Sequence, residues 1–391
     1  MSITRKWGRI AFALVWLAII ASGCMGTSTV STYGWTAVAA DEDVVVGILP
    51  TGQVVALDPN ANGQELWSFP ATTTTTSSSP FSCSNNSTTT SDSQEVFEAV
   101  YGQPVLTDGL ILFGSYDYSV YALDRDPAAN AAARVKWSYA TEGTVVGGVT
   151  VYEDVVYFGS ADHKIYAVSL AEGKSLWEAP FSTENAVWGT PFVDDEHVYV
   201  GSMDHYVYAL DRATGKQLWR TDVAGAVPAS VTVADGVVFA ASLDKRLHVL
   251  NAQDGSEVWA SDDLGGWLMS QPVVSDGYVY VATLDGMLYG LDVKTGESRW
   301  PAITLGSAVR ACPAWVDGNL LLATEAGVVV QVDIEAGTQT TLYTAAVSTL
   351  AEPAVVGDVV YISTTAGQVC ALDASSASEP LLWLYPSTSE E

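Results

Sequence analysis

The chain has 391 residues, of which 45 are Asp or Glu and only 16 are Lys or Arg, giving a formal net charge of −29. So acidic a chain lacks the clustered cations that release counterions from phosphates, which argues against nucleic acid as a partner, and anionic lipid head groups repel it. Hydrophobic residues make up 48% and charged residues 16%, a balance that builds a buried core over most of the length.

The first element is an export signal. Arg5, Lys6 and Arg9 form a basic stub, and Ile10 to Ala21 is an unbroken apolar run of 12 residues. A membrane-spanning helix needs about 20 residues, so the run suits the core of a signal peptide better than a permanent span. Ala21-Ser22-Gly23-Cys24 follows at once and resembles a bacterial lipobox, with Ala21 where Leu is usual. That likeness implies cleavage before Cys24 and a lipid on Cys24, ordinary cleavage after Gly23 being the alternative. Residues 1–23 are thus expected to leave as the signal, and 24–34, mostly small and polar, to serve as a tether. The mature chain keeps 13 basic against 45 acidic residues, a net of −32.

The body is one repeated unit, and repeats decide the fold before single elements do. Gly201-Ser-Met-Asp-His-Tyr-Val-Tyr-Ala-Leu-Asp211, then Thr214-Gly215 and Leu218-Trp219, is the clearest copy. Closing tryptophans stand at Trp67, Trp137, Trp177, Trp219, Trp259, Trp300 and Trp383. From Trp137 to Trp300 they are spaced by 40, 42, 40 and 41 residues, and the gap of 83 to Trp383 holds one more unit with Thr341 in place of Trp. Short β-branched and aromatic runs such as Val198-Tyr199-Val200 and Val207-Tyr208-Ala209-Leu210 read as strands. Asp108-Gly109, Asp235-Gly236, Asp276-Gly277 and Asp317-Gly318 fall at one place in their units and suit tight hairpins. A unit of about 41 residues with four strands is a blade of a β-propeller. The expectation is an all-β, eight-bladed propeller over residues 35–385, each blade keeping its own strands, with 386–391 as a tail. Each Trp is expected to lie on an outer strand and dock the next blade, which makes the seventh blade the weak sector. Residues 71–94, ATTTTTSSSPFSCSNNSTTTSDSQ, cannot build a core and read as a surface insertion between the first two blades.

The pattern Ala-x-Asp-x-x-Thr-Gly-x-x-x-Trp, quoted above from Ala209 to Trp219, resembles the tryptophan-docking repeat of the quinoprotein-like propellers. The likeness spans the mature chain and implies two branches. One is the quinone-dependent dehydrogenases; the other is the non-catalytic lipoprotein of the outer-membrane barrel-assembly machinery. The enzyme branch demands hard-oxygen calcium ligands, a carboxylate base and, in its alcohol dehydrogenases, a disulfide between adjacent cysteines. Cys24, Cys83, Cys312 and Cys370 include no adjacent pair, and no long insertions roof a cofactor. The expectation is therefore a non-catalytic scaffold with no cofactor and no resident metal, the alternatives being a quinone- or metal-dependent oxidoreductase and a propeller that binds a small molecule or glycan at its aromatic funnel mouth. It would be anchored through its lipid alone, at the outer membrane of a cell that has one and otherwise on the outer face of the cell membrane. Its partners would be other exported or membrane proteins, bound by a monomeric propeller.

Aligning the units puts Trp35, Tyr101, Val146, Trp188, Pro228, Met269, Arg310 and Leu350 at one position, at the start of each innermost strand, where side chains reach the channel or its mouth. Tyr101, Trp188, Arg310 and the nearby Trp267 are the candidate partner-facing funnel; the alternative is that these residues merely plug it. Asp117, Asp162, Asp204, Asp244 and Asp285 share a second position, between the second and third strands. There an Asp accepts hydrogen bonds from its own turn, and a ring of them can also attract a cation. His163 and His205 follow two of these aspartates and make a weak case for a metal. Nothing in the sequence has the spacing of a nucleophile elbow, a phosphate loop or a zinc-protease helix.

Overall fold

The computed structural model describes residues 37–69, 97–126, 134–376 and 378–386. The signal, Cys24, the tether, Trp35, the 71–94 insertion and residues 387–391 of the tail lie outside them. Among the described residues there is no helix, and 32 strands sort into eight four-stranded sheets. Each sheet takes its strands in chain order, so no strand is lent from one sheet to another. The blades occupy 37–69, 105–140, 150–182, 192–222, 232–260, 273–304, 314–344 and 354–385, here numbered 1 to 8. The fold is an eight-bladed β-propeller.

Blade 4 shows why these residues form these strands. Its second strand, His197–Gly201, is buried at every position, and its third, Tyr206–Asp211, is buried except at its ends. The two pair antiparallel, Val198 opposite Leu210 and Tyr199 opposite Ala209. Blades lie on both faces of these strands, so an unbroken apolar run replaces the in–out alternation of a one-sided sheet. The fourth strand, Gln217–Asp222, is mostly exposed but turns Trp219 inward, and a bulge between Gln217 and Trp219 sets that orientation.

The hairpin turns hold in three of the four expected places. Asp235-Gly236, Asp276-Gly277 and Asp317-Gly318 have positive φ at both residues, 51° and 78°, 51° and 78°, and 44° and 76°. Asp108-Gly109 does not take that form, since neither residue has positive φ. Thr107 closes this turn instead: its N–H donates to Leu110 O, and its Oγ1 accepts from Leu110 N at 3.0 Å.

The hydrophobic core is divided into eight clusters, one per blade interface, and the tryptophans connect them. Trp137, Trp177, Trp219, Trp259 and Trp300 each donate Nε1–H to a carbonyl of the following blade, on Leu170, Arg212, Ala252, Val293 and Ile334, at 2.8–3.1 Å. That carbonyl always belongs to the residue after the third strand, at the start of the Asp-x-x-Thr-Gly turn. The indole then lies on the glycine ending the same turn. A Cβ added to Gly173, Gly215 or Gly255 would stand 2.5–2.6 Å from the rings of Trp137, Trp177 and Trp219. The glycine thus does two things: it takes a positive φ, +70° at Gly215, and it leaves a flat floor for the neighbouring Trp.

Four tryptophan positions depart from expectation. Trp177 and Trp300 stand before their short fourth strands, Phe181–Ser182 and Ile303–Thr304, because Pro180 and Pro301 lack the N–H the ladder needs. In blade 7 the bulge falls at Leu342, so Thr341 is exposed and Leu342 turns into the blade 7–8 core. Trp67 meets no glycine; the guanidinium of Arg134 lies 4.3 Å from its ring centre.

The ring closes by side chains. Val38, Val45, Val55 and Leu57 of blade 1 pack with Tyr361, Val369, Ala371 and Trp383 of blade 8. Trp383 lies on Gly63 of blade 1, within 2.5 Å of where a Cβ would be, and Tyr385 Oη donates to Glu65 Oε2 at 2.5 Å.

Candidate functional site at the central channel

The innermost strands surround a cavity of about 740 Å³. Of the eight aligned channel positions, the seven described, Tyr101, Val146, Trp188, Pro228, Met269, Arg310 and Leu350, all line it. They form a rim of half-buried side chains in which Tyr101 packs against Tyr116, ring centres 4.5 Å apart. Burial pushes both phenols up, so they stay neutral hydrogen-bonding groups. Arg310 is held at the rim by Glu325, Nε to Oε2 3.6 Å, and by the sulfur of Met269.

Trp267 is not part of this cavity. It is 54% exposed, on the loop entering blade 6. Its carbonyl accepts from Leu284 N in the neighbouring second-to-third-strand turn, as Ala99 O accepts from Tyr116 N in blade 2. Those bonds put the entry loops and the second-to-third-strand turns on one face, the face of the funnel. Tyr118, 52% exposed, belongs to the same face.

Two residues further along, in the segment just before each inner strand, runs a second ring that sequence reasoning passed over: Gln103, Gly148, Thr190, Ser230, Gln271, Cys312 and Glu352. Most of it is polar. Thr190 Oγ1 accepts from Gly148 N at 2.8 Å and Ser230 Oγ from Thr190 N at 2.9 Å, so these hydroxyls tie neighbouring blades together. Gln103 and Gln271 donate their amide groups to Val38 O and Thr232 Oγ1. Cys312 and Glu352 hydrogen-bond each other across blades 7 and 8, and burial drives the Glu352 carboxyl up to about 7. A signal for this ring existed. Five of its members, Gln103, Thr190, Gln271, Cys312 and Glu352, directly precede a proline.

Three of the five aspartates at the second-to-third-strand turns, Asp162, Asp204 and Asp244, accept from the backbone N–H two residues further on. Asp204 accepts from Tyr206 N, Tyr208 Oη and Glu184 N at 2.8–3.1 Å, and Asp162 binds Lys164 N, Tyr166 Oη and Glu142 N in the same way. His163 and His205 are the positive-φ residues of these turns, at 68° and 77°, with Tyr118, Lys245 and Gly286 equivalent to them. Among the described residues no three His, Cys, Asp or Glu side chains stand together as a metal site. The channel lining offers one carboxyl, Glu352, where a calcium-assisted quinone needs several hard-oxygen ligands, and Cys312 has no adjacent cysteine. These donors do not fit that group.

A family profile described as outer membrane protein assembly factor BamB matches residues 30–205 and 184–379. The chain belongs to the BamB family. Two solved structures show the BamB-like fold at low identity. BamB from Moraxella catarrhalis is 17% identical, with a TM-score of 0.66 over 85% of this chain and 92% of that one. The computationally designed Ika8 protein is 16% identical, with a TM-score of 0.70 over 87% of this chain and 96% of that one. A search of curated proteins finds no match.

Proposed function

We propose that this chain is an exported, lipid-anchored scaffold without chemistry of its own, which binds other exported or membrane proteins during outer-membrane protein assembly. The observation that carries the reading is the BamB family match across both halves of the ring. The lack of fit between the channel donors and a calcium–quinone pair supports the non-catalytic half of it. Trp267 and Tyr118 support a partner-facing role for the funnel face, because exposed aromatics on a rigid rim are the usual anchors of protein interfaces. Cys24 supplies the anchor in this reading, at the outer membrane where the cell has one. A strongly acidic propeller has no basic patch to hold anionic lipid, so attachment falls to the acyl chains.

Photo-crosslinking amino acids at Trp267 and Tyr118, with Asp235 on the opposite face as control, test this in cells of the source organism. The expected result is capture of an outer-membrane assembly component or barrel precursor from the funnel face and not from Asp235. Capture of neither, or equal capture from both faces, would overturn the assignment.

A further inference from the structure

We infer that the central channel is a binding site for a slender organic cation, a primary ammonium on a short alkyl chain, with the ammonium seated on Glu352. This site is independent of the scaffold role. The carboxyl of Glu352 opens into the cavity, and its partner among the described residues is the Cys312 thiol; no Lys, Arg or His pairs with it. A carboxylate in such a place needs an opposite charge, and the protein does not provide one. The rest of the floor points the same way. Gln103 and Gln271 use their N–H groups on Val38 O and Thr232 Oγ1, which leaves their side-chain oxygens without a donor among the described residues. The floor is therefore rich in acceptors, and an ammonium brings three donors.

The rim selects the rest of the ligand. Trp188 and Tyr101 offer ring faces to an alkyl chain or to the cation on its way in. The rim at Arg310 and the floor at Cys312 lie two residues apart in the segment that leads into the inner strand Ala314–Val316, at most about 7 Å, the reach of a short alkyl chain. Arg310 already has Glu325 beside it, and the strongly acidic chain disfavours an anion. Among the described residues no three His, Cys, Asp or Glu side chains stand together at the floor, so a metal ion would have to rely on neutral amide and hydroxyl oxygens beside Glu352.

The groups facing Glu352 set its pH response. Burial keeps the Cys312 thiol and the phenols of Tyr101 and Tyr116 neutral well above pH 8, and Arg310 lies beside Glu325. The titrating group between pH 6 and 8 is Glu352, whose carboxyl ionises at about 7. An alkyl ammonium stays charged across this range, its pKa being about 10.4 by analogy with Lys.

The test is calorimetric titration of the full propeller with n-pentylamine at pH 8 and pH 5.5, with pentan-1-ol and pentanoate as neutral and anionic isosteres. One site for pentylamine is expected at pH 8, weakened about tenfold or more at pH 5.5 and in Glu352→Gln, with both isosteres far weaker. Trp188→Ala should weaken binding without removing its pH dependence. Equal binding of pentylamine and pentan-1-ol, no binding of pentylamine, or an undiminished affinity in folded Glu352→Gln would overturn the site. Should Glu352→Gln fail to fold, the native protein decides: affinity rising from pH 5.5 to 8 supports the site, and a flat profile refutes it.

Discussion

The Trp-on-glycine contact between blades can be measured in isolation through Trp177 and Gly215. Gly215 has φ +70° and a Cβ there would stand 2.5 Å from the Trp177 ring, all three nearest atoms being the indole's. Gly236 has φ +78° with nothing within 4 Å of an added Cβ, so it carries the backbone requirement without the contact. Gly236→Ala should therefore cost only the left-handed penalty, about 1–2 kcal/mol. Gly215→Ala adds overpacking against the indole, about 1–3 kcal/mol more. Trp177→Ala alone removes a buried aromatic, about 3–5 kcal/mol. In the Trp177→Ala background the overpacking should vanish, and the two glycine substitutions should then differ by less than about 0.5 kcal/mol. Urea unfolding followed by circular dichroism, with the m-value checked for constancy, gives the stabilities of the parent, the three single variants and the two double variants. If Gly215→Ala is no worse than Gly236→Ala, or if the excess survives in the double mutant, the indole and the glycine are not a docking pair.

Thr341→Ala should change stability by less than about 0.5 kcal/mol because Thr341 is exposed, whereas Leu342→Ala should cost about 2 kcal/mol or more and Trp219→Ala about 3–5 kcal/mol; thermal melts that rank Thr341 with Trp219 would refute the assignment. Glu352 has its folded-state pKa raised to about 7 from 4.5, so the native state binds more protons between these values. Its contribution then makes stability fall as pH rises from about 4.5 to 7 and level off above, and Glu352→Gln should remove that fall in denaturant midpoints measured across the window. Cys24→Ser should release the protein into the soluble extracytoplasmic fraction with its melting curve unchanged; retention on membranes after a high-salt wash would show that something other than the lipid holds it.

The architecture was legible because one large residue recurs at nearly constant spacing, and the eight blades follow from Trp67 to Trp383 once the 71–94 insertion and the Thr341 position are allowed for. Tyr101, Trp188 and Arg310 could be placed at the channel by alignment alone, since the repeat fixes where each inner strand starts. What the repeat hid was everything that crosses between repeats. Gly215 reads as a turn residue of its own blade, and only the fold shows that it also serves Trp177 of the blade before. Local exceptions were equally hidden. Pro180 and Pro301 shorten two outer strands, Thr107 replaces a positive-φ turn, and a displaced bulge substitutes Leu342 for Thr341. Cys312 and Glu352 lie 40 residues apart and meet only because blades 7 and 8 are neighbours. Trp267 was placed by proximity in sequence to Met269, yet it is exposed and does not line the cavity that Met269 lines.

At six of the eight joints a plug, the Trp, meets a socket, the glycine turn of the next blade, so the blades associate head to tail, as subunits of a heterologous ring do. Such a rule lets whole units be gained or lost by duplication while every joint stays matched. The two remaining joints depart from the rule in different ways. Between blades 1 and 2 the plug Trp67 is present without a glycine beneath it, and Arg134 lies over its ring instead. Between blades 7 and 8 both halves are absent: the plug position carries Thr341, and the corresponding turn of blade 8, from Asp373 to Pro380, holds no glycine for a plug to rest on.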